Sequence, residues 1–317
     1  MKVAITGGAG FLGRRLARAL LVDKRVESVL SADAAPVEAA GGDPRLVPLA
    51  ADLREPGAAE AVAHGADVIV HLAAVLSGQA EADFDLGVSV NVDATRRLLE
   101  AARAGGRRPR FVFASSLAVY GPPLPPVVTD ETALHPQSSY GAEKAIAELF
   151  VADYSRRGFV DGRVLRLPTI SVRPGRPSSA ASSFASSIIR EPLRGERAVC
   201  PAGPELELWL SSPRVAVLNL AHGALLAEEA LGARRTINLP GITVSVAQMV
   251  ASLERVAGAQ AAARIEFRDD ALARRIVSSW PARFDVSRAL ELGFSRDADF
   301  EGIIRDYLAG EAAGGRG

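Results

Sequence analysis

A glycine-rich turn set between an apolar strand and an amphipathic helix constrains this chain more than any other feature. The sequence opens with the apolar run KVAIT, continues TGGAGFLG at residues 6–13, and then takes a helical pattern over residues 11–21. Gly7, Gly10 and Gly13 recur at every third position. A strand–turn–helix unit of this kind lets the backbone approach a pyrophosphate, which rests on the N–H groups that open the helix, here around Phe11, Leu12 and Gly13. The spacing departs from G-x-G-x-x-G, and no Gly-Lys-Ser/Thr follows, so the turn is not a nucleoside-triphosphate P-loop.

The pattern continues past the turn. Apolar strands are expected at 2–6, 28–32, 45–50, 68–73, 110–114 and 162–167. Helices are expected at 11–21, 60–64, 91–104 and 139–156, with apolar positions every three or four residues. Continuous apolar strands alternating with helices predict an α/β fold, a Rossmann-type doubly wound parallel sheet covered on both faces. After Pro168 the character changes. Residues 171–187 carry seven serines and read as irregular loop running into a helix. Further helices are expected at 215–230 and 244–257, and short strands at 236–239 and 264–267. The expected division is a cofactor domain at 1–168, rejoined by 213–241, and a smaller substrate lobe from 169–212 and 242–317. Residues 314–317 read as a frayed tail.

Composition removes several function classes. Among 317 residues, Lys and Arg number 37 and Asp and Glu number 37, so the formal charge is zero. That balance gives no support to nucleic-acid binding or to an anionic membrane surface. The one cysteine, Cys200, excludes an intrachain disulfide and fits a reducing, cytoplasmic setting. No apolar run is long enough for a membrane span, and the opening residues lack the pattern of a signal peptide. The four histidines are scattered, so no metal site is expected.

Other motifs fall where such a sheet would use them. Asp33 ends the second strand, twenty residues after Gly13, where a carboxylate can accept hydrogen bonds from adenosine ribose hydroxyls. It would repel a 2′-phosphate, so NAD is expected over NADP. Asp52, followed by Leu53, closes the third strand and either faces the adenine or caps the next helix. Leu72, Ala73 and Ala74 end the fourth strand with side chains that let a cofactor lie against it. The fifth strand ends in Ala114, Ser115 and Ser116, at the carboxyl edge where open α/β sheets bind ligands. Tyr140 and Lys144 lie one helical turn apart on one face.

Taken together, Gly7-x-x-Gly10-x-x-Gly13, Asp33, HLAA at 71–74, Asn91 with Thr95, Ser115-Ser116 and Tyr140-x-x-x-Lys144 resemble the extended short-chain dehydrogenase/reductase family. The resemblance implies that Tyr140 is the catalytic acid/base, Lys144 its partner, and Ser116, aligned on the following VYG, the serine that holds the substrate oxygen. It also places Asn91 and Pro168 near the cofactor and implies a homodimer. A tyrosine ionises near pH ~10, and bringing it to about 7 takes roughly 4 kcal/mol. A nearby lysine and the positive nicotinamide ring are the right kind of source.

The substrate class is read from a departure. The family pattern R-x-x-N after the sixth strand has Thr169 in place of the asparagine, which weighs against a nucleotide-sugar. Arg173 and Arg176 follow, and a guanidinium suits a carboxylate. The stretches at 76–91, 153–177, 182–195, 208–214 and 279–285 are similar to a branch of the family that oxidises four-carbon sugar acids at C2 with NAD. That similarity implies a small sugar-acid substrate. Expected contacts are Ser77, Gln79, Ser115, Ser116 and Thr169, with Arg173 as first choice for the carboxylate and Arg214 as second. A nucleotide-sugar epimerase or dehydratase with tightly held NAD, and an NAD-sensing regulator without chemistry, are the alternatives.

Overall fold

The computed structural model describes residues 1–37, 42–175 and 180–314. Arg176 and the last three residues of the expected tail lie outside the described residues. The strands are β1 (Lys2–Thr6), β2 (Ser28–Asp33), β3 (Leu46–Ala50), β4 (Val68–His71), β5 (Arg110–Ser116), β6 (Asp161–Leu167), β7 (Thr169–Ile170), β8 (Ala198–Cys200), β9 (Glu207–Ser211), β10 (Thr236–Asn238), β11 (Ile242–Ser245) and β12 (Ile265–Phe267). Seven of them form one parallel sheet in the order β10-β6-β5-β4-β1-β2-β3. The order reverses between β1 and β4, so the connections leaving their carboxyl ends diverge and open a crevice.

Side chains alternate across this sheet with the two-residue period of a strand. Val3, Ile5, Val68, Val70 and Val112 face one side, against Leu16 and Leu20 of the Phe11–Val22 helix and Ala216 and Leu220 of the Pro213–Leu225 helix. Ala4, Ile69, Phe111 and Phe113 face the other, against Leu98 and Leu99 of the Ala94–Ala104 helix and Ala147 and Val151 of the Ser139–Arg156 helix. Both faces are therefore covered, as the unbroken apolar strands require. Burying each of the Val, Leu, Ile and Phe side chains among them contributes on the order of 2 kcal/mol before chain entropy is subtracted.

Helix boundaries follow local chemistry. Ser138 caps the Ser139–Arg156 helix by accepting from the Gly141 N–H. Ser212, followed by Pro213 at the first helical position, caps the next long helix through the Val215 N–H. Ser245 and Gln248 form a reciprocal capping box at the start of the Val246–Ala257 helix.

The second half builds a smaller body around Phe184, Ile188, Leu208, Val244, Met249, Ile303 and Ile304. Its sheets are short: β11-β9-β7, with β11 and β9 antiparallel, and the pair β12-β8. Several of its elements differ from the sequence expectation. β7, β8, β9 and β11 are strands that the sequence does not announce, and the segment before the Ala94–Ala104 helix is helical too. That segment comprises Ser77–Ala82, Phe84–Gly87 and a stretch of π-helix at Val88–Asp93. The expected helix at 215–230 breaks at Leu226 into two, and the one expected at 91–104 begins earlier, in the wide π turn.

Candidate active site

The crevice at the carboxyl edge of the central sheet is a cleft of about 650 Å³, a size suited to a small-molecule site. Its floor is the glycine turn. A Cβ on Gly13 would stand 2.1 Å from the Gly7 carbonyl oxygen, so no larger residue fits there without opening the turn. Gly10 caps the Phe11–Val22 helix without a side-chain bond, and among the described residues the Phe11, Leu12 and Gly13 amides have no intramolecular acceptor. Orphan N–H groups at the start of a three-turn helix favour an anion. Asp33 stands at the rim. One carboxylate oxygen accepts from the Ala9 N–H (3.0 Å) and the other from the Ala35 N–H (2.9 Å), which pins both loops while lone pairs remain for a ligand hydroxyl. Asp52 lines the cleft, paired with Arg54 at 2.6 Å, and that pair holds its carboxyl below the usual range. Leu53, Leu72, Ala73, Ala74, Ala114 and Pro168 line the remaining walls. This cradle, a close glycine turn over free amides with a carboxylate at the second strand end, fits the pyrophosphate and adenosine ribose of a dinucleotide.

Behind the cradle runs a buried chain of hydrogen bonds. The Ala73 N–H donates to Thr6 Oγ1, Thr6 Oγ1 meets His71 Nδ1 at 2.6 Å, His71 Nε2 meets Thr95 Oγ1 at 2.9 Å, and Thr95 donates to the Asn91 carbonyl. Because Thr95 donates onward, it must accept from His71 Nε2–H, and Nδ1 must accept from Thr6. Burial, and then the Lys144 charge, lower the His71 pKa to about 3, so the ring is neutral, as this chain of bonds demands.

The reacting groups come from β5 and the helix after it. Gly141 permits their approach: a Cβ there would lie 2.2 Å from the Ala118 carbonyl, so the helix start packs directly on the turn that follows Ser116. Tyr140, Ser116, Lys144 and Arg173 all line the cleft, with the Ser116 hydroxyl near enough to Tyr140 to favour its ionised form. Ser115 also borders the cleft, but its hydroxyl donates to Glu148, which is itself held by Arg166 in a buried ion pair. Ser116 therefore keeps its hydroxyl clear of that ion pair, whereas Ser115, on the same cleft wall, has its hydroxyl proton engaged by Glu148.

The charges around Tyr140 differ from the sequence expectation. Lys144 Nζ donates to the Ala114 carbonyl at 2.9 Å and lies 5.7 Å from the Tyr140 ring centre, beside the Phe113 ring. Burial pushes the Tyr140 phenol up to about 12, against the lowering effect of the Arg173 charge and the Ser116 hydroxyl. Burial likewise brings Lys144 down to about 8, with Glu148 and Glu143 opposing. Desolvation outweighs the neighbouring cations, so the expected drop of Tyr140 toward neutrality is absent from the protein's own groups. Arg173 is the cation that lowers Tyr140 most, and sequence spacing pointed to Lys144 instead. Among the described residues no carboxylate pairs with the Arg173 guanidinium, whose own pKa is lowered by burial.

Several expected contacts lie elsewhere. Arg214 is turned to the surface in an ion pair with Asp306 (2.7 Å), so it does not reach the cleft. Thr169 pairs with Leu210 in β7, and because Pro168 and Ile170 face the cleft, strand alternation turns Thr169 away. The Ser77 hydroxyl accepts from the Ala181 N–H at 3.0 Å, joining the loop after β4 to the smaller body. Asn91 is buried behind the wall. Its side chain bonds both backbone groups of Val75 and donates to Glu143 at 2.6 Å, so its polar atoms are committed to holding the cleft wall together. Gln79 does line the cleft. Sequence reasoning missed Ser183, Ser186 and Arg190, which line the cleft from the smaller body. Their stretch, SSFASSIIREPLRG, is amphipathic, but nothing in it marks which face meets the cleft.

The chain is 55% identical to a D-erythronate dehydrogenase of Cupriavidus necator, over 97% of this chain and 98% of the relative. It is 48% identical to a D-erythronate dehydrogenase of Haemophilus influenzae, over 97% and 99%. Among solved structures, a protein from Agrobacterium tumefaciens described as a nucleoside-diphosphate-sugar epimerase superposes with a TM-score of 0.92 at 43% identity, covering 99% of this chain and 95% of that one. The family model for the NAD dependent epimerase/dehydratase family matches residues 3–214. With its glycine cradle, its strand-end carboxylate and the Ser116, Tyr140 and Lys144 cluster, the chain belongs to the NAD dependent epimerase/dehydratase family.

Proposed function

We propose that this chain is an NAD-dependent dehydrogenase that oxidises D-erythronate at C2 to 2-keto-D-erythronate. The observation that carries the substrate class is Arg173, a partly buried guanidinium with no carboxylate partner among the described residues, on the cleft wall beside Tyr140. A buried cation left uncompensated is costly, and a substrate carboxylate relieves that cost. The two long relatives named for this activity support the same choice.

Residues 1–168 and 213–241 hold the cofactor in this reading, and 169–212 with 242–317 form the substrate lobe. The Phe11, Leu12 and Gly13 amides take the pyrophosphate and Asp33 takes the adenosine ribose, with Asp33 disfavouring the 2′-phosphate of NADP. Bound NAD supplies the hydride acceptor. Arg173 holds the substrate carboxylate and thereby fixes which carbon faces the cofactor. Ser116 donates to the C2 oxygen. Tyr140, once deprotonated, takes the C2 hydroxyl proton as the C2–H bond breaks and the C2 carbonyl forms. The balance is hydroxy acid plus NAD giving keto acid, NADH and a proton. Lys144 favours the phenolate by its charge, and Gln79 contacts a substrate hydroxyl.

Among the described residues no helix is long and apolar enough to cross a membrane. A cytoplasmic homodimer is proposed: the one cysteine fits a reducing setting, and the apolar side chains of Ile146 (44% exposed) and Leu149 (68%) on the helix that carries Tyr140 support the dimer.

A second reading has one observation in its favour, the description of the Agrobacterium structure as an epimerase. Such an enzyme returns the hydride and makes no net NADH. The test is initial-rate NADH formation with D-erythronate, L-erythronate, L-threonate and UDP-glucose in parallel. Rapid NADH from D-erythronate alone is expected. Interconversion of the UDP-sugar with no NADH from any acid would replace the proposal with the second reading.

A further inference from the structure

Two arginines line the wall of the cleft formed by the smaller body, and their donors are used differently. Arg173 has an uncompensated guanidinium, whereas Arg190 is committed. Arg190 is 2% exposed; one terminal nitrogen donates to the Arg173 carbonyl (2.7 Å) and the other to Ser187 Oγ (3.2 Å) and Glu191 Oε1 (2.6 Å). Glu191 neutralises Arg190, so the net positive charge of this wall resides on Arg173. Ser186, one turn before Arg190 on the same helix face, accepts from the Arg173 N–H at 3.0 Å. The Phe184–Leu193 helix thus grips both backbone polar groups of one residue. Two residues earlier, Ser171 Oγ donates to the Ala185 carbonyl at 2.7 Å, so the strand leading to Arg173 is tied to the same helix.

We propose that Ser186 and Arg190 are positioning residues for the substrate carboxylate: they fix the backbone at Arg173 so that its guanidinium is held at the C1 end of the sugar acid, beside Tyr140. The proposal rests on the reading of Arg173 given above. A guanidinium recognises a carboxylate in a planar two-point geometry, so its root must be fixed as well as its charge. Arg173 enters the cleft from the chain that follows β7, outside any strand or helix, where no ladder of sheet bonds holds it. Ser186 and Arg190 supply what regular structure does not.

The experiment compares Ser186→Ala, Ser186→Thr, Arg190→Met and Arg173→Met in the full-length enzyme, with KM for the sugar acid, KM for NAD, kcat and melting temperature measured on each. Ser186→Ala and Arg190→Met are expected to raise the KM for the sugar acid about tenfold, the loss of one well-placed hydrogen bond. KM for NAD stays unchanged, and kcat changes by less than about threefold. Ser186→Thr, which keeps the hydroxyl, retains most of the affinity. In the Arg173→Met background, Ser186→Ala is expected to cost nothing further, because the group it positions is gone. If Arg190→Met does not fold, the Ser186 variants decide. An unchanged KM in Ser186→Ala beside a raised one in Arg173→Met overturns the positioning role and leaves the carboxylate reading standing. Losses that add fully in the double variant, or an equal rise in KM for NAD, also overturn it. An unchanged KM in Arg173→Met removes the carboxylate reading, and this proposal with it.

Discussion

Tyr140 carries the largest consequence at the scale of single residues. Its phenol sits at about 12 because burial outweighs the Arg173 charge and the Ser116 hydroxyl, so the base form must be produced against that burial. Replacing Tyr140 with Phe removes the proton acceptor and is expected to lower kcat by about 10²–10⁴-fold with little change in melting temperature, checked by steady-state rates and thermal denaturation. Since the required form is deprotonated, kcat/KM for oxidation rises with pH up to a plateau. Arg173 lowers the Tyr140 pKa, so Arg173→Met moves that rising limb to higher pH, which a pH–rate profile reads directly. His71 gives a stability prediction with its own sign. Its folded pKa of about 3 lies below the ordinary 6.5, so the unfolded chain binds a proton that the folded chain refuses. The contribution is complete above pH 6.5 and is lost as pH falls toward about 3, by up to about 1.4 kcal/mol per pH unit. Denaturant titrations at successive pH values should show that slope, and His71→Asn should flatten it. Much of what lines this cleft was legible residue by residue, because the glycines and the Tyr140–Lys144 pair sit at recognisable spacings and the family resemblance pointed to Ser116. The committed state of Ser115, Asn91 and Ser77 was not, since it depends on Glu148, Glu143, Val75 and Ala181, which only the folded chain brings near.

Among the elements, the glycine turn and the strands of the large sheet show how far a pattern reaches. Buried parallel strands such as Val68–His71 and Arg110–Ser116 declare themselves as apolar runs, because both faces are covered. Strands of two to four residues in the smaller body, such as Thr169–Ile170 and Ile242–Ser245, are too short to show a period, and their pairing is fixed by residues distant in sequence. The helical segment at 77–93 was hidden for a related reason: its π stretch breaks the 3.6-residue repeat. The turn itself makes a sharp prediction. Gly13→Ala would set a methyl group 2.1 Å from the Gly7 carbonyl. It should cost about 1–3 kcal/mol of stability and abolish measurable NAD binding, read by denaturation and by titration calorimetry.

At the scale of the whole molecule, one sheet edge and one smaller body meet across a cleft, and the division of labour follows from where each borders it. The sheet edge supplies the amides, Asp33, Ser116 and Tyr140, while the smaller body supplies Arg173 and the helix that grips it. The Tyr140 helix also shows apolar Ile146 and Leu149 outward, and a homodimer through this face predicts that Leu149→Glu yields monomers in analytical ultracentrifugation. Arg214 shows the limit of reading a substrate contact from sequence: the two arginines look alike on paper, yet Asp306 holds Arg214 at the surface and leaves Arg173 to the cleft. In the proposed reaction, C2 of a carboxylate-bearing sugar acid gives its hydrogen to the nicotinamide. This transfer is tested most directly by incubating the enzyme with NAD and D-erythronate deuterated at C2, then locating the label by NMR. One deuterium at the nicotinamide C4 of each NADH and an equal amount of 2-keto acid are expected. Unlabelled NADH, or label retained in an epimerised acid without NADH, would contradict it.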